Sequence, residues 1–547
     1  MKSSSNLSEQ TKPFIEEITK EEEQKLFIMI LKVFLSIMTI INFPMSEKSI
    51  SDEEKKPKKK KVKSKSKSKP KQNLAKDLSL PNNPSPTKEA KNILLSYINY
   101  KNSTKITRNS LRNGRRIFNN KTELSSYDQN DPEFNKNFIE FRQLFFEDLL
   151  LTEDLKDDSE NDVINKVRAQ SALFSTFIYD GEFIEPFINQ FKMPSIIVRH
   201  QENQKFNAMD EYGNYIKFIF PKISQTLRWG KFHSKLIILK FPKFLRIIVP
   251  SANLTDGDWY YWGQIIWFQD FFLIENNKEK NKQRSTDFRE YLKQFMKMFM
   301  PHTYEGKRFW TDLKINFDEY DFSDVAVDLI ASANGRFTEN EKDLYGVGRL
   351  NYLMDSKYFN IDKNNNLLIQ CSSFGVSKQK NFFSNLYKGF NLKEENTIDI
   401  FYPTENYIYT CEKGIELSSC LFFSKDAFKL YENNLHDVVL KDKFKDRKTV
   451  FHSKIFITGK KNKNNNFILN NDSIIYIGSH NFSASAWGNY EKNGTQISVA
   501  NYELGIIFDL NLLNYMEKLD IYNNLLFNFD CPKYSEDDKP FFTDNNL

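Results

Sequence analysis

The chain has 547 residues, with 78 Lys and Arg against 72 Asp and Glu and a net charge of +6. Such a length supports two domains with large cores, and 15% aromatic residues with only 18 Gly and 17 Pro exclude collagen-like, wholly disordered and linker-dominated chains. Four cysteines, Cys371, Cys411, Cys420 and Cys531, with no CxxC pair, argue against a disulfide scaffold or a cysteine zinc site and for a reducing compartment.

Residues 1–44 form an apolar leader. Within it Leu26 to Phe43 is long enough for a membrane span, but Lys32 would cost about 3 kcal/mol at mid-bilayer. Three readings fit: a signal anchor, an amphipathic helix, or sequence upstream of a start at Met45. Residues 45–127 read as a disordered basic extension. Lys55 to Lys71 carries eleven basic residues and no acidic one, in a Lys/Ser/Pro composition that builds no core. Its segment Pro57–Lys63, PKKKKVK, resembles a monopartite nuclear localisation signal, so the expected compartment is the nucleus; a solvated basic tail is the plain alternative. Lys101 to Lys121 adds seven basic residues, an arm for nucleic acid or solvent. Without these eighteen, 60 basic residues face 72 acidic ones. The globular remainder is acidic, and any nucleic-acid track on it must be local.

From Asp128 onward the pattern becomes globular. Short β-rich runs (Pro194–Val198, Leu236–Leu239, Leu245–Val249, Leu367–Ile369, Ile474–Ile477) alternate with amphipathic stretches (Ser285–Phe299, Leu510–Phe527), the pattern of an α/β protein.

Comparing the chain with itself exposes a repeat. Phe232–Leu239 reads FHSKLIIL and Phe451–Thr458 reads FHSKIFIT, although the chain has only six histidines. Downstream, Ile247–Trp259 reads IIVPSANLTDGDW and Ile475–Trp487 reads IYIGSHNFSASAW, sharing Ser-x-Asn and a Trp six residues after the Asn. The histidines are 219 apart and the asparagines 228 apart; the polar run Lys460–Asn471 absorbs the difference as a loop insertion. On a strand, His233 and Lys235 face one side, as do His452 and Lys454. With Asn253 and Asn481 at the ends of the neighbouring strands, two copies about a pseudo-twofold would surround one cavity. In-line displacement at phosphorus needs such a set: a nucleophile, an acid for the leaving oxygen, and fixed cationic and amide donors for the other oxygens. No carboxylate cluster of metal-ligand type accompanies it, so lysines would do a metal's work. Trp259 and Trp487 are expected in the core and His480 as a packing histidine; His200, His302 and His436 receive no role.

These motifs resemble the phospholipase D superfamily. The usual Asp five residues past the Lys is absent, with Lys240 and Gly459 in its place, and the Asp-less form with Asn is that of the 3′-type tyrosyl-DNA phosphodiesterase branch. Trp229–Leu239, Ser251–Trp267, Asp328–Phe337, Ser372–Gly375 and Ala486–Phe508 also resemble segments of that family. The resemblance covers residues from about 128 to the C-terminus. It implies two pseudo-twofold-related phospholipase D-like halves, 128–318 and 319–547, each a mostly β sheet flanked by helices. It further implies a DNA repair phosphodiesterase that hydrolyses 3′-phosphotyrosyl bonds, with exonuclease-type action on 3′ ends, through a covalent phosphohistidine.

By the resemblance, His233 is the nucleophile and His452 the acid for the departing phenolate and then the base for water. Lys235, Lys454, Asn253 and Asn481 hold phosphate oxygens; Glu503 orients His233 and Gln264 orients His452. A carboxylate behind the nucleophile would stabilise its charge, and a neutral amide behind the acid would leave its pKa near working pH. Trp229, Ser372 and Ser373 match DNA contacts, with core packing as the alternative for Trp229 and a turn for the serines. The implied partners are DNA with 3′ adducts, at single-stranded or duplex ends, and a topoisomerase I-derived peptide within the substrate. No cofactor, metal or obligate protein partner is implied. A lipid phosphodiesterase and a catalytically silent DNA-end-binding module stand as the competing functions.

Overall fold

The computed structural model describes residues 117–120, 122, 138–146, 168–200, 208–212, 215–274, 286–299, 313–358, 361–375, 381–438, 449–510, 525, 527, 529 and 531–542. The apolar leader, the PKKKKVK segment, almost all of the basic extension and most of Leu510–Phe527 lie outside the described residues.

Nine strands make the first sheet: β1 (Ile117–Asn120), β2 (Phe138–Ile139), β3 (Ser171–Thr176), β4 (Ser195–Arg199), β5 (Ala208–Tyr212), β6 (Ile216–Phe220), β7 (Leu236–Lys240), β8 (Phe244–Pro250) and β9 (Ile265–Phe272). The later strands are β10 (Asp328–Ser332), β11 (Gly335–Thr338), β12 (Asn366–Gln370), β13 (Ile398–Phe401), β14 (Leu435–His436), β15 (Ile455–Lys461), β16 (Phe467–Ile468), β17 (Ile474–Gly478), β18 (Asn489–Glu491), β19 (Gln496–Val499) and β20 (Glu503–Asp509). The first sheet runs β2-β1-β9-β8-β7-β3-β4-β6-β5 and the second β10-β20-β17-β15-β12-β13-β14, with β16 beside β15 and β11, β18 and β19 in a small third sheet.

Seven strands of each large sheet correspond one for one: β1-β9-β8-β7-β3-β4-β6 against β10-β20-β17-β15-β12-β13-β14. In both series the first four pairings are antiparallel and the last two parallel. The repeat seen in two tetrapeptides therefore extends to whole sheets. Strands such as β8 and β17 are buried on both faces, as expected where helices cover a sheet, and β-branched residues suit that setting. Helix α1 (Gly181–Phe191) buries Ile184, Phe187 and Ile188, with Phe187 packed on Phe145. Helix α2 (Phe288–Lys297), the core of the stretch read as Ser285–Phe299, buries Phe288, Tyr291, Leu292, Phe295 and Met296, one face at helical spacing. Its Phe288 packs on Trp267 of β9, while the Tyr291 hydroxyl accepts from Ala331 N–H of β10, so α2 touches strands of both sheets. All four cysteines are buried and none forms a disulfide.

Three expectations are corrected. The two His-x-Lys tripeptides are not within strands; β7 and β15 begin one residue after each Lys. The reason is that His233 N–H bonds Tyr502 O and His452 N–H bonds Gly263 O, so each segment leaves its own sheet to bond the opposite half. The polar insertion Lys460–Asn471 is a hairpin: β15 continues to Lys461 and pairs with β16. The Asn462 side chain accepts from Asn464 and Asn466 N–H and Asn465 takes φ 65°, so the asparagines make the turn. The extension is not wholly disordered either. Ile117–Asn120 is a buried strand between β2 and β9, because Ile117 and Phe118 find partners at Trp267 and Ile266, far along the chain.

That strand delivers Asn120, which is 2% exposed. Its amide donates to the carbonyls of Trp259 at 2.9 Å and Trp262 at 2.7 Å, and its oxygen accepts from Gln264 N–H at 2.7 Å. Asn120→Ala would strand a buried N–H and buried carbonyls, and is expected to destabilise the protein by about 2 to 3 kcal/mol. Urea unfolding checks this; a loss below about 0.5 kcal/mol would contradict the clamp.

Candidate active site

Each half carries the same parts. Phe232 bridges to Tyr502 and Phe451 to Gly263, which sets His233 beside Glu503 and His452 beside Gln264. A side chain on Gly230, just before the first motif, would collide with the Ala500 carbonyl, so the approach of the two segments requires glycine there. The serines of the Ser-x-Asn motifs play matching roles. Ser251 donates to Gln264 Oε1 at 2.7 Å and accepts from Ile265 N–H, while Ser479 donates to Glu503 Oε2 at 2.6 Å and accepts from Leu504 N–H.

The structure brings the predicted set together. His233 Nδ1 lies 2.7 Å from Glu503 Oε2, and Asn501 supports the same carboxylate through Oε1 at 3.0 Å. Lys235 donates to His233 O at 2.9 Å. Lys454 donates to His452 O and, at 3.0 Å, to the hydroxyl of Ser372, which in turn faces Asn481 Oδ1 at 3.5 Å. Asn253 accepts from Ile178 N–H at 3.2 Å, and its backbone oxygen is held by the Trp259 indole at 2.8 Å. Both histidines, both lysines and Glu503 are buried. Trp259 and Trp487 are core residues, and His480 is packed against Trp487 and bonded to Ser332 and Tyr476. Trp229 is 59% exposed four residues before His233, which removes the core-packing alternative. Ser373 sits on a bridge to exposed Phe422. His436, unassigned from sequence, bonds Asp399 away from this constellation.

One residue was missed. Asp258 is fully buried, and its Oδ1 lies 2.9 Å from His452 Nδ1 and 2.8 Å from Gln264 Nε2. Its Oδ2 accepts from Asn253 at 3.1 Å and Thr255 at 2.9 Å. The expected pairing of His452 with Gln264 is therefore incomplete. Gln264 Nε2 does approach His452 Nδ1 at 3.2 Å, but the amide oxygen is taken by Ser251, which leaves its nitrogen a donor unable to accept the ring proton. The acceptor is Asp258, so a carboxylate stands behind both histidines and not behind one. The signal was present in the aligned repeat: the residue before the shared Trp is Asp258 in one copy and Ala486 in the other.

With Nδ1 taken in each ring, Nε2 is the nitrogen left for chemistry. Burial lowers the pKa of His233 and, aided by Lys454, brings His452 down to about 3, so both rings are neutral before substrate arrives. Burial opposes ionisation of Glu503, but His233 and Lys235 hold it down at about 2; His452 and hydrogen bonds likewise hold Asp258 below the usual carboxylate range. Burial depresses Lys235 to about 7, with Lys454 contributing, and Lys454 to about 8. Neutral rings can attack or accept a proton, and lysines poised near neutrality gain full charge from a bound phosphate. Among the described residues no group of three or more His, Cys, Asp or Glu is placed to hold a metal ion.

The model of the tyrosyl-DNA phosphodiesterase family matches residues 154–543. The chain belongs to the tyrosyl-DNA phosphodiesterase family. It is 26% identical over 368 residues to tyrosyl-DNA phosphodiesterase 1 of Arabidopsis thaliana, covering 65% of this chain and 58% of that protein. It is 22% identical over 383 residues to a probable tyrosyl-DNA phosphodiesterase of Schizosaccharomyces pombe, covering 57% of this chain and 70% of that protein. The crystal structure of the yeast tyrosyl-DNA phosphodiesterase shares the fold, with a TM-score of 0.54 at 15% identity over 78% of this chain and 99% of that one. Asn120, which clamps the Asp258 turn, lies N-terminal to the region matched by the family model.

The lysine pKa values predict proton-linked anion binding. A bound anion raises both above their free values of about 7 and about 8, so binding takes up protons and weakens as pH rises through that range. Sulfate, which does not titrate there, is the probe. Calorimetry in buffers of different ionisation enthalpy should report proton uptake at pH 8, and affinity unchanged between pH 6.5 and 9 would contradict it.

Proposed function

We propose that this protein is a DNA repair phosphodiesterase that hydrolyses the bond between a DNA 3′ phosphate and a tyrosine, with other 3′ blocks as further substrates. The observation that carries the reading is the pair of His-Lys-Asn sets, each imidazole anchored through Nδ1 and opposed by the other half; membership of the family supports it. His233 Nε2 attacks phosphorus and the P–O bond breaks. The electron pair goes to the tyrosine oxygen, which takes a proton from His452 Nε2; the ring, neutral beforehand, takes that proton up from solvent as the phosphodiester anion binds beside it. Water then attacks the phosphohistidine, giving its proton to His452 as the P–N bond breaks and the pair returns to His233. Lys235, Lys454, Asn253 and Asn481 bear the charge of the non-bridging oxygens. Exposed Trp229 stacks on a base, and Ser372 and Ser373 receive the DNA backbone. The tyrosine belongs to a topoisomerase I-derived peptide. Metal independence is part of the proposal.

The full chain, incubated in EDTA with a 3′-phosphotyrosyl oligonucleotide and separately with a phospholipid, should cleave only the DNA. Cleavage of lipid alone points to a lipid phosphodiesterase, and binding without cleavage to an end-binding module. In the same assay His233→Ala should form no covalent adduct, and His452→Ala should slow both formation and release of one. Adduct formed by His233→Ala at the wild-type rate would overturn the roles. Nuclear residence, proposed from Pro57–Lys63, predicts that replacing Lys58–Lys61 by alanine keeps a fluorescent fusion out of the nucleus; unchanged nuclear signal would reject it.

A further inference from the structure

The pseudo-symmetry of the halves is broken at two positions. On the turn after each Ser-x-Asn, Asp258 in the first half corresponds to Ala486 in the second. At the head of the last strand, Gln264 corresponds to Glu503; these are the residues that follow the two bridges to Phe451 and Phe232. Each half therefore supplies one carboxylate, but from a different place. His233 is served by the strand residue Glu503 at 2.7 Å and His452 by the turn residue Asp258 at 2.9 Å.

We propose that Asp258 is a positioning residue for the leaving-group step: it directs the His452 Nδ1–H inward and stabilises the positive ring while Nε2 holds the proton that the departing phenolate takes. The inference rests on the reading of this site as a 3′-phosphotyrosyl phosphodiesterase and on His452 as its acid. The charged groups bearing on His452 are Lys454 on its own segment, Lys235 from the first half and Asp258 on the turn. Both lysines oppose a protonated ring, so Asp258 is the group among these three that favours it. Its own position is fixed by four side-chain donors, from His452, Gln264, Asn253 and Thr255. Gln264 then acts on His452 through Asp258, donating to the same Oδ1 that receives the ring proton. In proton balance nothing is transferred to Asp258. The ring proton on Nδ1 stays in the hydrogen bond, and the mobile proton leaves and returns at Nε2.

The test uses two oligonucleotides alike except for the group on the 3′ phosphate: tyrosine, whose phenolate needs a proton near neutral pH, and 4-nitrophenol, which departs without one. Asp258→Ala should lower single-turnover cleavage of the tyrosyl ester by about 100-fold and that of the nitrophenyl ester by no more than about 5-fold. The variant places alanine where the second half already folds with Ala486. Adding Gln264→Glu copies the arrangement around His233, and the double variant should regain at least about tenfold on the tyrosyl ester. Equal losses on both esters, or no loss on either, or no rescue by Gln264→Glu, would overturn the inference while the wild-type enzyme cleaves both. Failure of the wild-type enzyme on both esters would instead overturn the proposed function.

Discussion

Two main-chain hydrogen bonds hold the site in register: His233 N–H to Tyr502 O and His452 N–H to Gly263 O, each 2.9 Å. Each joins a His-x-Lys segment to the half that does not carry it. The next residue along the opposite segment, Glu503 or Gln264, then arrives beside the ring. Because these segments have left their own sheets, their extended backbone is satisfied across the interface, and neither motif could keep its geometry within an isolated half. The reactive constellation is thus a property of the paired sheets.

That interface is electrostatically demanding. Two lysines, two carboxylates and two imidazoles lie buried within it. Uncompensated charge in such a place costs several kcal/mol per ion, and the compensation is visible in the hydrogen bonds. Glu503 receives from His233, Ser479 and Asn501, while Asp258 receives from His452, Gln264, Asn253 and Thr255. The lysines are held by main-chain oxygens of the residues two positions earlier, which leaves their depressed pKa values to be restored by an anion. An anion held beside these lysines would offset the desolvation of their charges.

The strand-end clamps show how far the duplication reaches. β1 and β10 occupy the same place in the two sheets. Asn120 from β1 holds the turn after Asn253 by the carbonyls of Trp259 and Trp262, and Ser332 from β10 holds the turn after Asn481 by the carbonyl of Ala486. The second clamp also anchors His480, whose ring fills the space beside Trp487. Different side chains thus perform one mechanical task, and sequence comparison alone would not match them.

The sequence by itself determined the chemistry that repeats: FHSK twice, Ser-x-Asn twice, a Trp six residues on, and strand-forming runs whose positions agree with β4, β7, β8, β12 and β17. These are local patterns, set by residue type and period. Asn120 and Asp258 were not legible in that way. Asn120 sits at the end of a stretch whose composition is that of a basic arm, and it becomes structural through pairing with β9, more than 140 residues later. Asp258 looks like an ordinary turn residue until His452, 194 positions on, is laid against it. Which carboxylate serves which histidine was a decision of the tertiary structure, because contacts of such sequence separation carry no local periodicity and are fixed only when the two sheets pack.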